Sequence, residues 1–241
     1  LVEHNEERFA KRIRSSPRNS GSVHLLPDPG DEVARARLLL TTWATQPADE
    51  RHAVLARTNR ELVPFAAVAL ELNLPFRAEE DGLLWPEPRV LEAVACVRPG
   101  LPVLPAIARS ASEYDLDQET TTDLLGWAAA CRDIDALREL IGARRAAAER
   151  LRKDDANLTL ATAHGTKGLE WDHVACIGHD EGCFPSGRAL READDPRRVL
   201  EEERRLAYVA WTRARKTLTI VYDPGAPSTF VLEAFDLDEL G

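Results

Sequence analysis

Short apolar runs alternate with helix-compatible stretches through this 241-residue chain, and that alternation points to helices packed on a parallel sheet. Ser22-Val23-His24-Leu25-Leu26 is the first strand candidate. Asp28-Pro29-Gly30-Asp31 then supplies a turn and an N-cap for a helix carrying Val33, Leu38, Leu39 and Leu40. His52-Ala53-Val54-Leu55-Ala56 is a compact apolar run that reads as a strand buried on both faces. Thr58 and Asn59 sit where it gives way to a helix from about Arg60 to Leu72, and Asn73 to Ala78 turns into another short strand. After Asp154-Asp155 the strand signals resume at Leu158–Ala163, Val174–Gly178 and Leu218–Val221, with a helix from about Leu200 to Arg213 before the last of them.

The pattern breaks between Trp85 and Asp155. Pro86, Pro88, Pro99, Pro102 and Pro105 punctuate short helices rich in Ala and Leu, and Glu113 to Asp123 holds five acidic residues and no basic one. Ile134, Leu137, Ile141, Ala148 and Leu151 fall on one stripe of a long helix ending near Lys153. The expected organisation is an α/β sheet domain in two segments, 1–85 and 156–241, around an all-helical insertion at 86–155. Glu3 to Arg14 is a further helix candidate, and the acidic tail from Ser228 to Gly241 reads as a short helix or a frayed end.

The 41 acidic and 31 basic residues leave a net charge of −10, which argues against a freestanding electrostatic binder of DNA or membrane. Any nucleic-acid contact must come from local groups. No stretch approaches the roughly 20 apolar residues of a membrane helix and no signal peptide is evident, so a soluble cytoplasmic protein without a membrane partner is expected. Cys96, Cys131, Cys176 and Cys183 are too sparse for a disulfide scaffold and read as free thiols. The chain opens on leucine and contains no methionine, so it is expected to be a fragment of a longer product.

Two segments carry chemistry. In Thr162-Ala163-His164-Gly165-Thr166-Lys167-Gly168-Leu169-Glu170-Trp171, polar residues and two glycines follow an apolar strand, which places them at the carboxyl edge of the sheet where open α/β folds bind ligands. Glycines let backbone amides approach phosphate, Lys167 adds a compact charge, and Glu170 is able to accept hydrogen bonds from a ribose. The same stretch also reads as a surface turn with one solvated lysine. In Glu201-Glu202-Glu203-Arg204-Arg205-Leu206-Ala207-Tyr208-Val209-Ala210-Trp211-Thr212-Arg213-Ala214-Arg215, helical spacing puts Leu206, Val209 and Ala210 on a buried stripe with Arg213 beyond them. An ion-paired surface helix is the competing reading, and it accounts for Arg204, Arg205 and Arg215 better than for Arg213. No GxxxxGK[ST] loop occurs in the chain.

Together these segments resemble motifs V and VI of the UvrD/PcrA/Rep-type superfamily 1 DNA helicases. Thr162, His164, Lys167, Gly168, Leu169, Glu170 and Trp171 match the first, and Glu202 to Leu206, Tyr208, Val209 and Thr212 to Ala214 match the second. Between them Glu181-Gly182-Cys183-Phe184-Pro185 resembles the family's E-G-x-F-P, and Ala53 to Asn59 resembles its V-L-x-R-[TS]-N segment.

The resemblance implies a second RecA-like motor domain of an ATP-driven DNA helicase with 3′-to-5′ polarity. It implies that Arg213 is an arginine finger, that Lys167 and Glu170 also meet ATP, and that Thr58, Asn59, Thr162 and His164 touch single-stranded DNA. ATP with Mg2+ would be bound mainly by a separate first motor domain, which would be a partner together with single-stranded and duplex DNA. Trp211 departs from the small or aliphatic residue usual there, and the insertion is shorter than the family's accessory subdomain. The alternative is a non-catalytic, helicase-derived interaction module whose acidic insert meets a repair or transcription protein. Cys176, Cys183, His173 and His179 lack the spacing of a zinc site, so no metal site is expected. Trp43, Trp85, Trp127, Trp171 and Trp211 read as packing residues.

Overall fold

The computed structural model describes residues 1, 4–5, 21–28, 30–78 and 88–236. The chain divides into two compact units, Leu1–Glu79 with Arg152–Gly241, and Glu80–Leu151. In the first, the strands are β1 (Ser22–Pro27), β2 (His52–Ala56), β3 (Phe76–Ala78), β4 (Leu158–Thr162), β5 (Trp171–Cys176) and β6 (Ala214–Tyr222). They form a parallel sheet in the order β1-β6-β5-β2-β4-β3. Around it lie α1 (Glu32–Trp43) and α2 (Val63–Glu71).

The second unit holds α3 (Pro88–Cys96), α4 (Val103–Glu113), α5 (Gln118–Ala129) and α6 (Ile134–Leu151), and its described residues include no strand. The sheet unit is completed by α7 (Gly187–Glu192), α8 (Pro196–Trp211) and α9 (Thr229–Ala234). The chain therefore has the α/β, RecA-like build expected, with a helical unit between its two sheet segments.

Local chemistry explains the element starts. The side chains of Asp31, Asp195 and Ser228 each accept a backbone N–H two or three residues into the helix that follows, satisfying donors that have no partner within a first turn. Every residue of β2 is buried because it lies between β5 and β4 and is covered on both faces. Ala53 and Leu55 join a core with Trp171, Phe184, Ala207, Tyr222 and Phe230, and Val54 and Ala56 point to the other face by strand alternation. Trp171, wholly buried, donates from Nε1 to Thr159 Oγ1 at 3.0 Å.

The helical unit has its own core of Val90, Val94, Ile107, Leu124, Ala128, Ile134, Leu137 and Ile141. The α6 stripe is buried at all five expected positions. Residues 152–155, read from sequence as the end of the insertion, belong to the sheet unit: Arg152 bridges to Phe76, and Lys153 N donates to Phe76 O, extending the β3 ladder. The helix expected over Glu3–Arg14 lies almost wholly outside the described residues, as do Trp85 and the last five residues of the acidic tail.

Candidate functional site

The parallel register settles which loops share an edge. Ala56 at the end of β2 lies beside Thr162 at the end of β4, so Thr58, Asn59, Thr162 and His164 all sit at or just past the carboxyl ends of adjacent strands. A turn of 3-10 helix, Arg60–Leu62, follows Asn59, and another, Ala163–Thr166, carries the exposed His164. Glu61 Oε2 accepts from both the Thr58 amide (2.7 Å) and its hydroxyl (2.8 Å), which fixes the loop after β2. Partial burial and the nearby Arg57 guanidinium hold the His164 pKa below the ordinary imidazole value, so this edge presents a neutral ring at pH 7.

Sequence reasoning assigned no role to Arg57. Its guanidinium pairs with both oxygens of Glu203 on α8, and Glu203 Oε2 also accepts the Ser186 amide at 3.1 Å. The signal was present in the quoted V-L-x-R and E-E-R-R segments, but their pairing is tertiary.

The expectation that the whole stretch from Thr162 to Trp171 stands at the carboxyl edge is overturned at Glu170. Because β4 and β5 are both parallel to β2, the chain must return from the top of β4 to the foot of β5 within residues 163–170. Glu170 therefore stands at the amino edge, immediately before Trp171. Gly168 makes the return with φ +84, a left-handed conformation that favours glycine. Lys167 is exposed within this crossover, and Glu170 Oε2 accepts from Arg215 Nε at 3.0 Å across the start of β6.

Arg213 also stands at the amino edge. It follows the α8 C-cap Thr212, and its carbonyl accepts the Trp171 amide where β5 and β6 begin. Its Nε donates to Val209 O (2.9 Å), its Nη1 to Leu169 O (3.2 Å), and its Nη2 contacts Thr212 Oγ1 at 3.4 Å. The two motifs thus touch at Leu169 and Arg213, while Thr162 and His164 of the first stay at the opposite edge.

The stripe expected on α8 is corrected. Its buried residues are Glu203, Arg204, Ala207 and Ala210, with Leu206 and Val209 only half-covered. The two charged residues are tolerated inside because each is paired. Arg204 donates to both Glu233 oxygens (2.7 and 2.8 Å) and to Asn5 Oδ1, so it is not the exposed residue of a solvated face. Arg205 pairs with Glu201 one turn back, as the competing reading of an ion-paired surface helix has it.

Behind Arg213, Trp211 Nε1 donates to His179 Nε2 at 3.0 Å, and the His179 ring stacks on Phe184 of the E-G-x-F-P-like segment. His179 is wholly buried, which pushes its pKa down to about 3. Cys176 is buried in β5, where burial raises its thiol pKa, and Cys183 is exposed. His173 hydrogen-bonds Glu50, so Cys176, Cys183, His173 and His179 do not gather into a metal set among the described residues.

A parallel sheet flanked by helices, with motif-bearing loops at both edges, is the build of a RecA-like domain, and comparison with known proteins points the same way. Residues 107–224 match the UvrD-like helicase C-terminal domain. The chain is similar to the ATP-dependent DNA helicase PcrA of Leuconostoc citreum, 43% identical over 100 residues that make up 42% of this chain and 11% of that protein. It is also similar to DNA helicase II of Rickettsia typhi, at 52% over 66 residues (27% of this chain, 10% of that protein), and of Escherichia coli, at 51% over 63 residues (26% and 8%). These matches support a UvrD/PcrA-type superfamily 1 helicase C-terminal portion. The matched segments span about a tenth of these relatives' length. Among the described residues no helix is long and apolar enough to cross a membrane.

Proposed function

We propose that the chain is the second motor domain of an ATP-dependent DNA helicase or translocase with 3′-to-5′ polarity. In this reading it closes on a first RecA-like domain that carries the phosphate-cradling loop and holds most of the ATP with its Mg2+. Arg213 then stabilises charge on the transferring phosphoryl group, and closure moves a DNA strand across the carboxyl edge. The observation that carries the reading is the bonding of Arg213. Arg57, Arg204, Arg205 and Arg215 all pair with carboxylates, whereas Arg213 is oriented by two carbonyls and a hydroxyl. Among the described residues no carboxylate pairs with it, so its charge is held in position and left for an incoming phosphate.

Lys167 is the second cation of this reading. Arg215 holds Glu170 Oε2 in an ion pair, and Oε1 is the oxygen that would meet a ribose in this reading. At the opposite edge Thr58, Asn59, Thr162 and His164 supply uncharged groups for a phosphate backbone, which fits a domain of net charge −10.

The test is Arg213→Ala in the complete parent protein. ATP turnover should fall by roughly 10³-fold with ADP affinity little changed, and Arg213→Lys should not rescue it, because the fork rather than the charge alone matches phosphoryl oxygens. Turnover near that of the unmodified protein would overturn the assignment.

A further inference from the structure

We propose that Glu50, His52 and His173 form a binding site for one divalent transition-metal ion of the zinc class, at the amino edge of the sheet. His52 opens β2, and His173 is its register partner on β5. Their rings stack with centroids 5.0 Å apart and planes 17° from parallel. Glu50, two residues before β2, brings Oε2 to 2.8 Å from His173 Nε2. One ligand atom from each of the three residues lies within 4.8 Å of the others.

Two imidazoles and a carboxylate are a donor set that suits zinc, and the nitrogen ligands disfavour magnesium or calcium. With metal–ligand bonds of about 2.0–2.2 Å, tetrahedral ligand atoms lie roughly 3.3 Å apart, so the three side chains need only rotate inward. The surrounding groups are of the kind that orient metal ligands. The His52 ring meets the Glu50 carbonyl and Gln46 Oε1, so a ring nitrogen binds an ion once one of these two oxygens is released. Lys216 Nζ holds Glu50 Oε1 at 2.8 Å, so Oε2 is the oxygen turned to His173, and Asp172 shares the lysine at 3.2 Å.

Entry and a fourth position are also provided. Glu50 and His52 line a groove of about 420 Å³ together with Trp43, Gln46, Lys153 and Asn157. Gln46 Oε1 lies 2.8 Å from His52 Nε2 and is the group that an ion on this nitrogen would displace. An ion there ties the loop before β2 to β5, bracing the edge at which Arg213 also stands. The three residues are spread over 123 positions of sequence, so no local spacing announces them.

The same groups hydrogen-bond one another without an ion, so binding itself is the decisive measurement. The whole chain, stripped with EDTA, is titrated with Zn2+ by calorimetry and with Co2+ by absorption spectroscopy. The expected result is one equivalent bound, a cobalt d–d spectrum without a thiolate charge-transfer band, and a raised melting temperature. His173→Gln and Glu50→Gln should each weaken binding by about tenfold or more while the metal-free circular dichroism is kept. Should His173→Gln fail to fold, Glu50→Gln, on the rim of the groove, carries the test. Absence of binding, binding unaltered by Glu50→Gln, or a thiolate band assigning the ion to cysteine would overturn the proposal.

Discussion

Arg57 and Glu203 lie 146 residues apart and close a bidentate ion pair, with Glu203 Oε2 2.8 Å from Arg57 Nε and Oε1 2.8 Å from Nη2. The pair joins the end of β2 to the middle of α8. It therefore links the loop that carries Thr58 and Asn59 to the helix that ends at Arg213. Both side chains are largely covered, at 19% and 7% exposure, so neither charge is solvated once its partner is lost. Glu203→Ala should cost about 3–5 kcal/mol of stability, since it strands the guanidinium and also removes the acceptor of the Ser186 amide. Arg57→Ala should cost a similar amount, and the double variant less than the sum of the two. Urea unfolding of the three variants measures the coupling.

His179 makes stability depend on pH. Burial alone depresses its folded-state pKa to about 3, and the rings packed on it, Phe184 and Trp211, carry no charge. The unfolded chain takes up a proton near pH 6.5 that the folded chain refuses until about pH 3. Stability is therefore fully present above the unfolded value and falls as pH drops through this window, by up to about 1.4 kcal/mol per pH unit. His179→Leu should flatten this part of the profile when urea unfolding free energies at pH 7 and pH 5 are compared in EDTA. An unchanged slope would show that another group sets it.

Strand positions were legible from sequence because apolar runs such as Ala53–Ala56 must be covered on both faces wherever they pair. Register was not. Reading loops after strands as one edge agrees with the register for Thr58, Asn59, Thr162 and His164 but fails for Glu170, because a parallel partner obliges the chain to return along the sheet before β5 begins. Periodicity likewise misplaced the buried face of α8. Glu203 and Arg204 are inside because Arg57, Glu233 and Asn5 meet them there, and no local pattern encodes partners so distant. Trp211, expected only as a packing residue, also donates its N–H to His179, a partner 32 residues away that no local pattern encodes.

Gly168 is required for its conformation and not for space. Its φ is +84, and a Cβ built there would meet nothing within 4 Å. Gly168→Ala should accordingly destabilise by roughly 1–2 kcal/mol, and Gly168→Asn by less, since Asn tolerates left-handed backbone better. Equal losses for the two, measured by urea unfolding, would point to a steric role.

The carboxyl edge gives the most direct test of DNA binding. Thr58, Asn59, Thr162 and His164 converge there although about a hundred residues separate the pairs, because β2 and β4 are neighbours with Ala56 beside Thr162. Glu61 fixes the first loop through the Thr58 amide and hydroxyl, and the loop after β4 is braced by Thr166, whose buried hydroxyl donates to Ala163 O at 2.7 Å. Groups of this kind meet phosphate and sugar, which position a strand without reading its bases. In the parent protein, Asn59→Ala or His164→Ala should therefore weaken binding to oligo-dT and to mixed single strands by the same factor. The salt dependence should hardly change, because neither side chain replaces a counterion at pH 7. The isolated chain should bind weakly, since its net charge of −10 offers no long-range attraction. Fluorescence anisotropy at two salt concentrations checks all three statements. A sequence-dependent loss, or tight binding by the isolated chain, would remove these residues from the proposed DNA track.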